Sequence, residues 1–175
     1  MNILSRIYGN LSLLERKFFD TFCFLKYKTK AKVVSIGNLS MGGTGKTPVL
    51  FEIIKDNAVL WEIEPAEPYT AADLDWRNPQ SRSSLEMNDP EERPTIKQCT
   101  DVTPYDTVYV GFPIWWGICP RIINSWLDNN LPQLQGKILI PFATSGSSGI
   151  EETEEYLRRT YPSLSWQKGL LLNKR

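Results

Sequence analysis

The sequence predicts an α/β fold, a doubly wound parallel sheet with helices on both faces. Apolar, β-branched runs at 32–39, 58–64, 107–112 and 137–142 have the length and composition of buried parallel strands. Segments with the apolar spacing of helices alternate with these runs, and such alternation is typical of a parallel sheet. Loops of unusual composition directly follow three of the runs, where an open parallel sheet binds its ligands.

The first 30 residues predict an amphipathic helical segment apart from the domain of residues 31–175. Residues 1–32 carry seven basic side chains against Glu15 and Asp20. Such a helix suits a peripheral position on an anionic membrane surface. Packing on the domain or on another chain is the alternative, and both stay open. The apolar positions at steps of three and four are Ile3, Leu4, Ile7, Leu11, Leu14, Phe18, Phe22 and Leu25.

The elements follow in order along residues 32–104. A first strand at 32–39 leads into a glycine-rich turn at 40–47. A short helix follows at 48–57, with proline at its first position, where the missing N–H costs nothing. The second strand, at 58–64, completes a βαβ unit. Residues 65–104 are rich in Pro, Asp, Glu, Ser and Arg and predict a long loop around one short helix near 83–88.

The remaining elements complete the sheet. A third strand at 107–112 and a helix at 120–129 precede a fourth strand at 137–142. A helix at 150–160 has glutamates in its first turns and arginines in its last turn, matching the helix macrodipole. Residues 164–172 predict a last strand. The apolar face of the helix at 120–129 consists of Ile122, Ile123, Trp126 and Leu127.

The amino-acid composition excludes several classes of catalytic site and metal site. Histidine is absent, which removes Ser-His-Asp and Cys-His catalysis and zinc sites built on imidazole. The three cysteines lack metal-site spacing and fit a reducing compartment, the cytoplasm. The 20 basic and 20 acidic residues balance, so we expect no nucleic-acid partner. No run reaches the roughly 18 apolar residues of a membrane span. We therefore predict neither a catalytic side chain nor a metal ligand.

The glycine-rich turn carries the first candidate binding residues. It lies between a strand and a helix, where glycines let the backbone wrap a phosphate and hydroxyls donate to it. The full P-loop pattern needs glycine at position 40, which is Ser40, so the match is imperfect. A purely structural turn is the alternative. The candidate phosphate-binding residues are Thr44, Gly45, Lys46 and Thr47.

An aromatic loop follows the third strand. Neighbouring residues of an extended chain point to opposite sides, so Trp115 and Trp116 cannot both point inward. We predict that at least one ring lies at the surface or stacks on a ligand. The alternative is a buried strand end with two core tryptophans. The candidate ligand-binding residues of this loop are Pro113, Ile114, Trp115, Trp116 and Gly117.

A hydroxyl-rich loop follows the fourth strand. It offers hydroxyl and backbone N–H groups to the polar edge of a ligand, and its alternative role is to cap the next helix. Because loops at the carboxyl ends of neighbouring parallel strands form one crevice, the two loops together suit a planar cofactor with polar edges. The candidate residues of this loop are Thr144, Ser145, Gly146, Ser147, Ser148 and Gly149.

Most of the chain resembles the flavodoxin family, specifically its short oxidoreductase branch, from about residue 58 to 173. The matching stretches are Glu62–Pro65, Pro68–Thr70, Asp73–Trp76, Ser81–Arg82, Glu91–Pro94, Tyr105–Asp106, Gly111–Gly117 and Phe142–Gly149. The resemblance implies a five-stranded sheet in the order 2-1-3-4-5 and an FMN cofactor. It implies that the aromatic and hydroxyl loops hold the isoalloxazine ring and that the turn at 44–47 holds the phosphate.

Residues 1–54 resemble the start of a different family, the lipid A kinase (tetraacyldisaccharide 4'-kinase). The resemblance is carried by 33–48, VVSIGNLSMGGTGKTP, and that family also opens with a basic helix and a P-loop. Its later catalytic segments have no counterpart here. The sequence therefore reads as a composite joined near residues 50–58. Lys46 would place a cation where flavodoxins usually bind phosphate with neutral donors.

Three functions follow from these resemblances. The leading hypothesis is an FMN-binding electron-transfer protein or oxidoreductase, cytoplasmic or peripheral at the inner membrane face. Its partner would be a redox protein or a small-molecule electron acceptor. The first alternative is a P-loop, ATP-binding kinase fragment. The second is a flavodoxin-like fold with an impaired cofactor site.

Overall fold

A parallel sheet lies at the centre of the part that the structure, a computed structural model, describes: residues 32–37 and 58–172. The strands are β1 Lys32–Gly37, β2 Ala58–Ile63, β3 Thr107–Pro113, β4 Ile138–Thr144, β5 Ser165–Trp166 and β6 Leu170–Leu171. The helices are α1 Arg82–Asn88, α2 Arg121–Leu134 and α3 Glu151–Thr160. The predicted amino-terminal helix, the glycine-rich turn and the helix at 48–57 lie outside the described residues.

The sheet runs in the order β2-β1-β3-β4-β5, and β6 pairs with β4 as well. All of its strand pairs are parallel. The described sheet thus has six strands where five were expected, because the last predicted strand is split. Between its two halves, the Gly169 backbone N–H donates to the carboxylate of Glu154 in α3. That N–H therefore bonds a side chain and not the strand ladder.

Apolar packing fixes β3 and α2 in the core. Val108, Tyr109 and Val110 of β3 are fully buried, as expected for a parallel strand covered on both faces. The predicted inner face of α2 is confirmed, since all four of its members lie in the core: Ile122, Ile123, Trp126 and Leu127.

The helix α2 continues to Leu134, past its predicted end at residue 129. Pro132 lies inside the helix and does not end it. The helix ends before Gln135, whose ψ of 133° is extended, and Gly136, with a φ of 74°, completes a turn in which the Lys137 N–H donates to the Leu134 carbonyl at 3.2 Å. The fully buried Leu134 side chain holds the last turn on the core. The helix α3 has acidic residues in its first turn and basic residues in its last, as predicted.

The segment 65–104, which we call the flap, folds back on itself and onto the domain. Its beginning pairs with its later part, since the Ala66 N–H donates to the Thr95 carbonyl at 2.8 Å. Within it, α1 begins after Ser81, whose hydroxyl accepts from the Ser84 N–H. The predicted loop around one short helix is therefore confirmed.

Arg121, at the start of α2, fastens the flap. Arg121 is 4% exposed, and its guanidinium donates to the backbone carbonyls of Glu86 and Met87 at the end of α1, both at 3.3 Å. It also donates to the Tyr156 hydroxyl at 2.8 Å. Carbonyls at the carboxyl end of a helix carry partial negative charge, which suits a buried cation.

Gly111 provides a test of the packing between β3 and β4. It pairs with Phe142, and a Cβ at Gly111 would lie 2.2 Å from the Phe142 ring. We expect Gly111→Ala to lower the free energy of unfolding by about 1–3 kcal/mol through overpacking. Urea denaturation measures the change. Adding Phe142→Leu should recover part of the loss, and Gly146→Ala, with nothing within 4 Å, is the neutral control. Equal stability of the Gly111→Ala, Gly111→Ala/Phe142→Leu and Gly146→Ala proteins would contradict this packing.

Candidate functional site

The aromatic and hydroxyl loops leave the sheet side by side. The pairing of β3 with β4 ends at Pro113 and Thr144, the last residues of both strands. One residue further, the Ile114 N–H donates to the Thr144 carbonyl at 2.8 Å. The prediction that both loops lie at one edge of the sheet is thus confirmed.

The aromatic loop is a tight turn. Trp115 and Ile118 exchange two backbone hydrogen bonds, of 2.9 and 3.0 Å. The two residues between them have positive φ, 47° at Trp116 and 86° at Gly117, as in a type I′ turn. A bulky residue in this region of φ is strained, and such strain is found at binding sites.

The turn separates the two tryptophan rings. Trp115 is half-buried and packs against the core, whereas Trp116 is 50% exposed. Their ring centroids are 6.4 Å apart and their planes meet at 84°. The prediction that one ring lies at the surface is confirmed, although the turn, and not strand alternation, causes it.

Gly117 connects the aromatic loop to α3. Its carbonyl accepts from the buried Thr153 hydroxyl at 2.8 Å. A Cβ at Gly117 would lie 2.3 Å from a carboxylate oxygen of Glu152. Glycine is favoured here by its φ of 86°, whereas the exposed Glu152 side chain is flexible and can move away from a Cβ.

The hydroxyl loop is organised by Ser145. Its hydroxyl accepts from the N–H groups of Ser147 and Ser148, at 3.2 and 2.8 Å. The residue before α3 is Ile150, whose side chain makes no capping hydrogen bond, so the alternative role of capping α3 is not seen at that position. The exposed residues are Gly146, Ser147 and Gly149, and the half-buried ones are Thr144, Ser145 and Ser148.

The flap contributes a side chain that the predicted site did not include. The Tyr69 and Trp115 rings form a perpendicular, edge-to-face pair, with centroids 6.0 Å apart and planes at 84°. The Tyr69 hydroxyl donates to the Glu86 carboxylate at 2.5 Å, and Arg82 binds the other carboxylate oxygen at 2.7 Å. The four-residue spacing of Arg82 and Glu86 indicates an ion pair on one helix face. The sequence gives no sign that Tyr69 contacts it.

Burial shifts the acidity of this cluster. It raises the pKa of Glu86 above its usual range, although hydrogen bonds from Tyr69 and Arg82 oppose the shift. Burial, with the hydrogen bond to Glu86, also raises the pKa of the Tyr69 phenol. The phenol therefore stays protonated at neutral pH and acts as a hydrogen-bond donor.

Cys119 directly follows the turn. Its thiol is buried in the core, and burial raises its pKa to about 12. Residues 32–37 and 58–172 contain no cluster of three or more side chains able to hold a metal ion. In the same residues, no helix is long and apolar enough to cross a membrane. The candidate phosphate residues, Thr44–Thr47, lie outside the described part.

These features define an α/β protein in which an aromatic loop and a hydroxyl loop leave the carboxyl edge of a parallel sheet side by side. The sequence profile of the flavodoxin family matches residues 36–175. The chain therefore belongs to the flavodoxin family. The profile of tetraacyldisaccharide-1-P 4'-kinase matches residues 1–59, so the two matches overlap at 36–59.

Solved structures agree with this assignment. A proposed flavoprotein from Bacteroides eggerthii is 44% identical, with 84% of this chain and 90% of that chain covered and a TM-score of 0.75. A flavoprotein from Lactobacillus acidophilus, solved in complex with FMN, is 17% identical, with 82% and 93% covered and a TM-score of 0.64. The second likeness shows the fold alone.

The kinase likeness is confined to the amino terminus. The tetraacyldisaccharide 4'-kinase of Halothermothrix orenii is 38% identical over 55 residues. This covers 31% of the present chain and 14% of the kinase. The chain thus spans about a seventh of the length of the curated relatives that it matches.

The positive φ of Trp116 predicts an unusual order of stability. We expect Trp116→Gly to be more stable than Trp116→Ala by about 1 kcal/mol, because alanine retains the steric cost of the left-handed region. Urea denaturation of the ligand-free proteins measures the difference. At Trp76, which is exposed and outside the positive-φ residues, alanine should be the more stable of the same two substitutions. If the alanine variant is the more stable one at both positions, the positive φ of Trp116 is contradicted.

The thiols provide a second test. In a Cys23→Ser background, we expect Cys99 to react promptly with a disulfide reagent at pH 8, because it is exposed. Cys119 should react only on unfolding, because its thiol is buried with a pKa of about 12. Absorbance of the released thiolate counts the reactive groups. Adding Cys99→Ser should abolish the fast phase, and a second fast equivalent would show that the segment after the turn opens.

Proposed function

We propose that this chain binds FMN and acts as an electron-transfer protein or oxidoreductase. The observation that carries the proposal is the half-exposed Trp116 ring, held on a strained turn beside the hydroxyl loop. A flat, exposed aromatic surface next to polar backbone suits a planar ring with polar edges. Strain at a residue that leaves half of its surface exposed is consistent with a ligand role.

The sheet topology supports the same ligand. Strand order reverses direction between β1 and β3, since β2 lies on one side of β1 and β3 on the other. Open α/β sheets bind ligands in the crevice at such a switch point, and flavodoxin-like sheets bind FMN there. Family membership and the proposed flavoprotein from Bacteroides eggerthii also favour a flavin.

The residues present fit the ring of FMN. Trp116 would contact the isoalloxazine face, and Trp115 would support it from the core side. The exposed backbone of Gly146, Ser147 and Gly149 would bind the polar edge. The Ser145 hydroxyl, which holds the N–H groups of Ser147 and Ser148, would fix the loop conformation. Bound FMN would supply the redox chemistry, while the protein positions it and excludes water from one face.

The turn at 44–47 would hold the phosphate, with Lys46 adding a cation to the hydroxyl and backbone donors. The electron would pass to a redox protein or a small-molecule acceptor that reaches the crevice. A cytoplasmic location suits the free thiols of Cys99 and Cys119. Residues 1–30 would allow peripheral contact with the inner face of the membrane.

A second candidate, ATP binding, rests on the kinase match over residues 1–59. It would use Lys46 and Thr47 on the nucleotide phosphates and Mg²⁺. The same purified chain can therefore be tested with either ligand.

Titration with FMN tests the proposal. We expect flavin fluorescence to be quenched on binding and Trp116→Ala to weaken the affinity about tenfold or more, through loss of ring stacking. Trp76→Ala is the matched control, since Trp76 is a 59% exposed tryptophan in the flap, with Arg77 over its ring. Equal losses in both variants would argue against stacking on Trp116.

Riboflavin, which lacks the phosphate, separates the ring site from the phosphate site. Tighter binding of FMN than of riboflavin, with the difference reduced by Lys46→Ala, would support phosphate binding at 44–47. Binding of ATP with Mg²⁺ but not of FMN would favour the kinase alternative. Binding of neither ligand would indicate an impaired cofactor site.

A further inference from the structure

The flap reaches the aromatic loop through Tyr69. The three rings Tyr69, Trp115 and Trp116 form a series in which each stands perpendicular to the next, at 84° in both contacts. Centroid distances of 6.0 and 6.4 Å fall in the range of favourable edge-to-face pairs. The half-buried Trp115 thus lies between a flap residue and the exposed ring of the turn.

Two charged side chains of α1 fix the orientation of Tyr69. The Glu86 carboxylate accepts from the Tyr69 hydroxyl at 2.5 Å and from Arg82 Nε at 2.7 Å. The Arg82 guanidinium carbon also lies 4.0 Å from the centroid of the Tyr69 ring. Each group of this triad therefore contacts the other two.

The Arg82–Glu86–Tyr69 triad is more specific than packing alone requires. Glu86 is 6% exposed, and a buried carboxylate is costly unless it is paired and hydrogen-bonded. An apolar side chain would fill the space beside Trp115 without that cost. A directional hydrogen bond adds a restraint on the tilt of the Tyr69 ring, and hence on the neighbouring Trp115 ring.

We propose that Tyr69 is a positioning residue of the flavin site: held by Glu86 and Arg82, it fixes the Trp115 ring and, through it, the Trp116 ring that contacts the flavin. The flavin contact rests on the proposed function. The restraint on the two tryptophans is a property of the ligand-free protein and is tested separately.

Fluorine NMR of the ligand-free full chain, labelled with 5-fluorotryptophan, gives one resonance for each of the six tryptophans. Trp115→Phe and Trp116→Phe assign the two resonances. We expect Tyr69→Leu to shift and broaden both of them, while the resonance of Trp166 on β5 stays in place. Tyr69→Phe, which keeps the ring contact, should produce smaller changes, as should Glu86→Gln.

Tyr161→Phe is the matched control. It removes another largely buried phenol hydroxyl, which is bonded to Asn124 and not to the triad. We expect it to leave the Trp115 and Trp116 resonances unchanged, even if it lowers stability. A loss of stability in Tyr69→Leu without movement of those resonances would show a merely structural role and overturn the proposal.

FMN provides the second readout. We expect Tyr69→Leu to raise the dissociation constant of FMN about tenfold, mainly through faster dissociation, with a partial rescue in Tyr69→Phe. Unchanged FMN dissociation in Tyr69→Leu would overturn the link to the flavin site. If the unmodified chain binds no FMN, the proposed function fails, while the fluorine spectra still decide whether Tyr69 positions the rings. If Tyr69→Leu does not fold, the fluorine spectra and the FMN dissociation of Tyr69→Phe and Glu86→Gln are compared with those of Tyr161→Phe.

Discussion

The candidate site depends on the register between β3 and β4. Seven residue pairs align these strands, from Thr107 with Ile138 to Pro113 with Thr144. Because side chains alternate along a strand, a slip of one residue would turn every core residue of β4 toward the opposite face. The same slip would break the bond from the Ile114 N–H to the Thr144 carbonyl, which joins the two loops. Core packing therefore fixes the relative height of the aromatic turn and the hydroxyl loop, and neither loop needs to be positioned by a ligand.

The flap is coupled to this edge through one residue of α1, Glu86. Its side chain binds Tyr69, which meets the aromatic turn, while its backbone carbonyl accepts from Arg121 at the start of α2. Arg121 follows the turn closely in sequence, so the chain is held on both sides of Cys119. Removing the Arg121 guanidinium would leave the backbone carbonyls of Glu86 and Met87 without this hydrogen-bond donor. Glu86 thus joins the flap both to the residue that meets the aromatic loop, Tyr69, and to the start of α2.

Short-range patterns predicted much of this fold, because buried strands and amphipathic helices are encoded by neighbouring residues. The inner face of α2 and the charges at the ends of α3 are examples of such local signals. The predictions were wrong where a distant contact or a backbone conformation determines where an element ends. The helix α2 passes Pro132 and ends at Leu134, and the last strand is split where Gly169 bonds Glu154. The contact of Tyr69 with Glu86 joins positions 17 residues apart through a folded flap, which no periodicity encodes.

The strand β1 shows how a composite sequence can keep one fold. It lies within the kinase-like match over residues 1–59, yet it pairs with both β2 and β3, with Val34 aligned to Leu60 and Tyr109. Parallel pairing uses backbone groups and requires mainly apolar, β-branched side chains, so a strand of either ancestry fits this central position. Phosphate groups are common to FMN and nucleotides, so Lys46 alone does not select between them. Among the described residues, the exposed Trp116 is the flat surface on which the ring of the proposed FMN would stack.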